Sequence, residues 1–185
     1  MAPIIKYSKE KIIEVGLKLV NEKGLESVSA RSIAKELGSS ICPVFSYFEN
    51  MDVLKEEILK EVFKFYQAYI QEGMKGSLKP FKDAGIRYIK FAREYRNYFN
   101  ALFMQKNDSN NVMELMNIDT ENNKVMEKNI SDDNDINKKV HKYCWLFVHG
   151  IAVMEASGYC SFSEEEISEM LTYEYEAIVN KVKGE

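Results

Sequence analysis

Apolar residues recur at spacings of three and four through most of this 185-residue chain, and only Pro3, Pro43 and Pro80 interrupt it. A 3.6-residue helix gathers such positions onto one stripe, whereas a half-buried strand needs strict alternation, which few segments show. The chain is therefore read as all-α, with about nine helices. Its hydrophobic content of 45% beside 29% charged residues fills a core and rules out wholesale disorder or a bare coiled coil. The length suits one ordinary domain or two small ones.

End signals divide the pattern. A first helix runs from about Lys9 to Lys23, with Ser8 as N-cap, Gly24 as stop and Ile13, Leu17 and Val20 as its stripe. A short second helix spans Ala30 to Leu37 between Ser29 and Gly38. A third runs from Ser40 to about Phe48, with Pro43 in the first turn, where its missing N–H does no harm. Asp52 is placed as the cap of a fourth, with Leu54, Ile58, Val62, Phe65 and Tyr69 in line. Pro80 opens a fifth through Tyr95, and Tyr98 to Met104 makes another. Residues 105 to 138 are rich in Asn and Asp and read as one or two short helices among loops. A long helix from Asp135 to Ser157 follows, stopped by Gly158. The last is announced by Ser163 and Glu166, which have capping-box spacing.

Several functions are excluded by what the chain lacks. Cys42, Cys144 and Cys160 form no CxxC and have no close His, so neither a disulfide framework nor a zinc site is expected. Two His and scattered Cys assemble no nucleophile–base pair, so no catalytic residues, metal or cofactor are expected. No run of about 18 apolar residues occurs, and no apolar segment follows a basic start. The expected location is a reducing cytoplasm. The formal charge of −4 is unevenly spread: residues 1 to 48 hold seven Lys+Arg against five Asp+Glu, a balance of +2, which leaves −6 for the rest. A modest basic end on an acidic body suits contact with phosphates at that end only.

Two short helices joined by a Gly-containing turn and packed on a preceding helix form the plan of a helix-turn-helix, whose second helix enters a DNA major groove. The residues sharpen this. Gly24-Leu25-Glu26-Ser27-Val28-Ser29-Ala30-Arg31-Ser32-Ile33-Ala34-Lys35-Glu36-Leu37-Gly38-Ser39-Ser40, followed by Val44-Phe45-Ser46-Tyr47-Phe48 and Asp52-Val53-Leu54, resembles the N-terminal domain of the tetracycline-repressor (TetR) family of transcriptional regulators. The resemblance runs without gaps from about Lys9 to Leu54, roughly a quarter of the chain. It implies a DNA-binding domain at residues 1–50 and a helical ligand-binding and dimerisation domain at 51–185. It also implies that Ile33, Ala34, Leu37, Phe45 and Phe48 fill the tri-helical core. DNA would be met by Ser29, Arg31, Ser39, Ser40, Ile41, Cys42, Pro43, Ser46 and Tyr47, with the hydroxyls and Tyr47 on the phosphate backbone.

This chain departs from the family pattern at Met51, where a phosphate-binding Lys is usual, and at Ile41, Cys42 and Pro43, which offer no bidentate contact to a base. Direct readout is expected to lean on thymine methyls, Ser46 and DNA shape. Trp145 to Gly150 resembles a Trp-then-His-Gly segment found in one group of TetR-family C-terminal domains. The resemblance implies a small-molecule pocket for a partly apolar effector, and Phe65, Tyr69, Tyr88, Phe91, Phe103, Met113, Trp145 and His149 are its candidate lining. It further implies a homodimer through the two C-terminal helices, and a repressor released from double-stranded operator DNA by its ligand. The alternative left open is a binding or adaptor protein with this fold and little specific DNA binding.

Overall fold

The computed structural model describes residues 7–105 and 130–184. Among the described residues there are eight α-helices and no strand: α1 (Lys9–Lys23), α2 (Ala30–Leu37), α3 (Cys42–Phe45), α4 (Met51–Met74), α5 (Pro80–Glu94), α6 (Arg96–Phe103), α7 (Asn134–Ser157) and α8 (Glu164–Lys183), with a 3₁₀ turn at Leu25–Ser27. Among these residues no helix is long and apolar enough to cross a membrane. The all-α reading holds, and the helix count is close to the expected one.

Local hydrogen bonds explain most of the ends. The Ser8 hydroxyl accepts from the Lys11 amide, and Ser29 and Ser32 cap each other reciprocally at the start of α2. Ser163 and Glu166 form the expected capping box at α8. Gly38 and Gly158 take left-handed conformations that close α2 and α7. Two ends differ from expectation. Asn50, rather than Asp52, caps α4, its Oδ1 accepting from the Val53 amide at 3.0 Å, while Asp52 lies inside the first turn. The third helix is shorter than expected and spans only Cys42–Phe45, because Ser40 makes a long 3.4 Å contact with the Cys42 amide and the chain turns at Ser46.

The stripes also shift. On α1 the buried positions are Ile12, Val15, Leu19 and Val20, with Ile13 and Leu17 only partly covered. On α4 the buried series is Leu54, Ile58, Val62, Tyr66, Ile70 and Met74, so Phe65 is exposed and Tyr69 half-buried. Each step of four residues advances about 40° around a helix. The first and last halves of α4 therefore bury different faces.

The chain forms two compact units: the described residues of Met1–Phe65 and Tyr95–Gln105, and those of Tyr66–Glu94 and Lys106–Glu185. The first unit is built on Ile12, Leu19, Val20, Ile33, Val44, Phe48, Leu54 and Ile58, all virtually sealed from solvent. Here α6 packs on α1, where the Tyr98 hydroxyl donates to the Leu17 carbonyl and Asn97 Nδ2 to the Asn21 carbonyl. The second unit packs α5 against α7 and α8. It is clamped by Arg93, whose Nε and Nη2 donate to the two Glu155 oxygens at 3.0 and 2.6 Å and whose Nη2 also donates to the Phe162 carbonyl. Burial raises the Glu155 carboxyl, but Arg93 and the Phe162 amide outweigh it and hold it below its ordinary value.

In the first unit, α1 and α4 meet at Gly16. A Cβ there would lie 2.3 Å from Ile58 Cδ1 and 2.9 Å from Ile58 Cγ1, and Ile58 is fully buried. Overpacking outweighs the better helix propensity of alanine, so Gly16→Ala is expected to cost about 1–2 kcal/mol. Ile58→Val in the same chain should recover part of that loss. Urea unfolding of the two single variants and the double variant checks it, and strictly additive effects would show that the contact is not the cause.

Candidate nucleic-acid interface

The interface is defined by which side chains the first unit does not bury. After α2, the Gly38 amide donates to the Lys35 carbonyl and the Ser39 amide to the Ala34 carbonyl, so the chain turns sharply. Val44 and Phe48, four residues apart, then enter the core at 0% and 2% exposure. Anchoring that line of the segment turns the opposite side outward. Ile41 is 44% exposed, Phe45 47% and Tyr47 38%, with Ser40, Cys42 and Ser46 exposed beside them. Phe45 thus lies on the outer surface rather than in the core, and Val44 supplies the plug in its place.

Most of the hydroxyls on this surface are already engaged. Ser46 donates to the Cys42 carbonyl at 2.9 Å and Ser39 to the Ser40 carbonyl at 2.9 Å, which leaves their oxygens only as acceptors. Ser29 is engaged with Ser32 in the α2 cap. Pro43 sits half-buried in the first turn of α3. On α1, Lys9, Lys11 and Lys18 pair with Glu57, Glu14 and Glu36. Arg31 and Lys35 on α2 are exposed and form no ion pair among the described residues, which leaves them available to phosphates. Met51 packs against the core of this unit, so its side chain serves the interior.

The candidate effector residues fall in different places. In the second unit, Tyr88 is buried and hydrogen-bonded through its hydroxyl to His149 Nδ1 at 3.0 Å, and the His149 ring lies flat on Trp145 with centroids 4.6 Å apart. Phe91 is fully buried against Tyr66 and Tyr69, and the Arg87 guanidinium covers the Tyr69 ring at 3.6 Å. Burial pushes the Tyr88 phenol well up and the His149 imidazole down. Phe65 and Phe103 belong to the first unit, where Phe65 meets Tyr95 and Tyr98 edge-on and Phe103 packs on Phe99. Met113 lies outside the described residues. The second unit also has a groove of about 290 Å³ between Leu78, Pro80, Phe81 and Lys82 and the α8 residues Leu171, Thr172 and Tyr175, which no spacing in the sequence signals.

A sealed three-helix core that presents a short outer helix after a tight turn defines a protein of the helix-turn-helix class. Residues 12–62 match the family described as bacterial regulatory proteins, tetR family, so this segment is similar to that family's N-terminal domain. Two solved structures share the architecture of the whole chain. A transcriptional regulator from Rhodococcus sp. Rha1 is similar with a TM-score of 0.68 at 17% identity, over 95% of this chain and 97% of that one. A protein described as a TetR-family transcriptional regulator from Vibrio parahaemolyticus gives 0.62 at 17% identity, over 91% and 97%. At that identity they show the fold. No curated protein sequence matches the chain.

Two chemical tests follow from this geometry. Because burial lowers the His149 value, the folded state binds this proton less readily than the unfolded chain. Its contribution is complete above the ordinary value of 6.5 and is lost as pH falls below it. The urea midpoint should therefore drop as pH falls below about 6.5, with a shallower drop in His149→Gln, which retains an acceptor for Tyr88. Separately, exposed Cys42 should react with a maleimide while Cys144, buried with its thiol pushed up to about 12, does not. Specific DNA should slow labelling of Cys42; an unchanged rate would mean that this surface faces away from the duplex.

Proposed function

We propose that this chain is a homodimeric, ligand-responsive transcriptional regulator of the cytoplasm, a repressor released from its operator by a small molecule. The observation that carries this is the outward surface from Ser40 to Tyr47, held rigidly by the burial of Val44 and Phe48. In this reading residues 1–50 bind DNA and residues 51–185 bind effector and partner subunit. Ile41, Cys42, Pro43 and Ser46 face the groove, while Ser29, Arg31, Ser39, Ser40 and Tyr47 meet the backbone. A partly apolar effector is held within the second unit, among Tyr69, Tyr88, Phe91, Trp145 and His149.

Dimerisation joins α7 and α8 to their copies. Support comes from Tyr143 and Leu146 on α7 and Tyr173 on α8, which are large and exposed. Gly150 adds to it. A glycine inside a helix costs about 1 kcal/mol relative to alanine, and among the described residues no atom beyond its own stretch of helix lies within 4 Å of where its Cβ would be. Such a position suits the close approach of a second helix. Release operates through α4, one continuous 24-residue helix that contributes to both units. Inverting occupancy from 1:99 to 99:1 requires an effector preference of about 10⁴-fold between states.

Selection of bound DNA from a random pool with the full chain tests the reading. The expected product is a pair of inverted half-sites whose centres lie about 34–36 Å apart or at a multiple of that distance. Affinity should fall with salt, with about −0.9 of log–log slope for each phosphate neutralised. Failure to retain any sequence would favour the adaptor reading, for which the exposed Ile41 and Phe45 are the specific support.

A further inference from the structure

The outer face of α3 holds two large apolar side chains, Ile41 and Phe45, four residues apart and each nearly half exposed. One helical turn separates them, so they lie side by side on one face. Around them the supply of hydrogen-bond donors is small. The Ser46 and Ser39 protons are committed to backbone carbonyls within the same segment, and from Ser39 to Phe48 there is no Arg, Lys, Asn or Gln. The Ser40 and Tyr47 hydroxyls and the weak Cys42 thiol are the remaining side-chain donors of this segment.

In the major groove each base pair offers polar edges and, at a pyrimidine C5, either a hydrogen or a methyl group. A surface with few donors and two exposed apolar side chains distinguishes the second feature better than the first. Resting on the DNA-binding reading above, we propose that this protein recognises its operator through pyrimidine C5-methyl groups taken up by Ile41 and Phe45. Thymine and 5-methylcytosine are then near equivalents at the contacted positions, while uracil and unmodified cytosine are both poor substitutes. The equivalence follows because the Ser39 and Ser46 oxygens have no proton to give to thymine O4, so exchanging O4 for the cytosine amino group removes no bond from them. Cytosine C5 methylation at such a position strengthens binding.

The test uses the full chain and the sequence selected from a random pool, with base analogues placed one at a time. Replacing a contacted thymine by deoxyuridine removes one methyl group and leaves every polar edge intact. Binding should weaken about fourfold, the equivalent of about 0.8 kcal/mol for one methyl group withdrawn from water, and about sixteenfold when both half-sites are changed. A 5-methylcytosine–guanine pair at that position should restore most of the affinity, and a cytosine–guanine pair should not. Ile41→Ala and Phe45→Ala should each erase the thymine–uracil difference at one position; both side chains are exposed, and circular dichroism checks that the variants fold. Selected duplexes that bind equally well with thymine or uracil at every position would overturn the proposal while leaving DNA binding intact. Retention of no sequence at all would remove the DNA-binding reading, and this proposal with it.

Discussion

The outward face of the third helix depends on the burial of Val44 and Phe48. The two side chains enter a core already walled by Ile12, Leu19, Ile33 and Leu54, and each contributes on the order of 1.5–3 kcal/mol through lost contact with water. The segment that carries them is too short to be a stable helix by itself, since α3 has one turn. Its orientation is therefore borrowed from the core. Whatever stands between and opposite the two anchors must face solvent, and that is how Ile41, Cys42, Phe45 and Ser46 come to form a surface.

The second unit is organised by polar burial. Arg93 and Glu155 form a forked pair whose spare capacity is taken up by the Phe162 backbone, so the connection between α7 and α8 is tied to α5. Tyr88 and His149 satisfy each other in a low-polarity setting, with Trp145 stacked on the imidazole. Breaking one partner of either pair leaves a buried polar group unpaired, which is costly. Such contacts specify a single arrangement of α5 and α7 more sharply than apolar packing alone.

The parts of this architecture that were legible in the sequence were local. Ser8, Ser29 and Ser163 cap the helices they precede, and Gly38 and Gly158 end theirs, because a cap is a hydrogen bond made within four residues. The tri-helical unit was legible for the same reason, with its turn, caps and aromatics at fixed offsets. Less legible was the facing of each helix. Leu54, Ile58 and Val62 continue into Tyr66, Ile70 and Met74 rather than Phe65 and Tyr69, and both choices keep a spacing of three or four. Likewise Val44 and Phe45 are adjacent apolar residues, and the spacing permits either to be the anchor.

The sequence by itself determined that the chain is helical, where most helices begin and end, and that its first fifty residues carry a helix-turn-helix. Neighbouring helix positions differ by about 100°, and composition does not say which of two apolar neighbours will find room in a core. Tertiary packing made that choice when it buried the smaller Val44 and left Phe45 outside. It also brought α6 onto α1, through hydrogen bonds from Asn97 and Tyr98 to carbonyls more than seventy residues away. Contacts of that separation leave no periodic trace in a single chain, so only the folded structure could decide them.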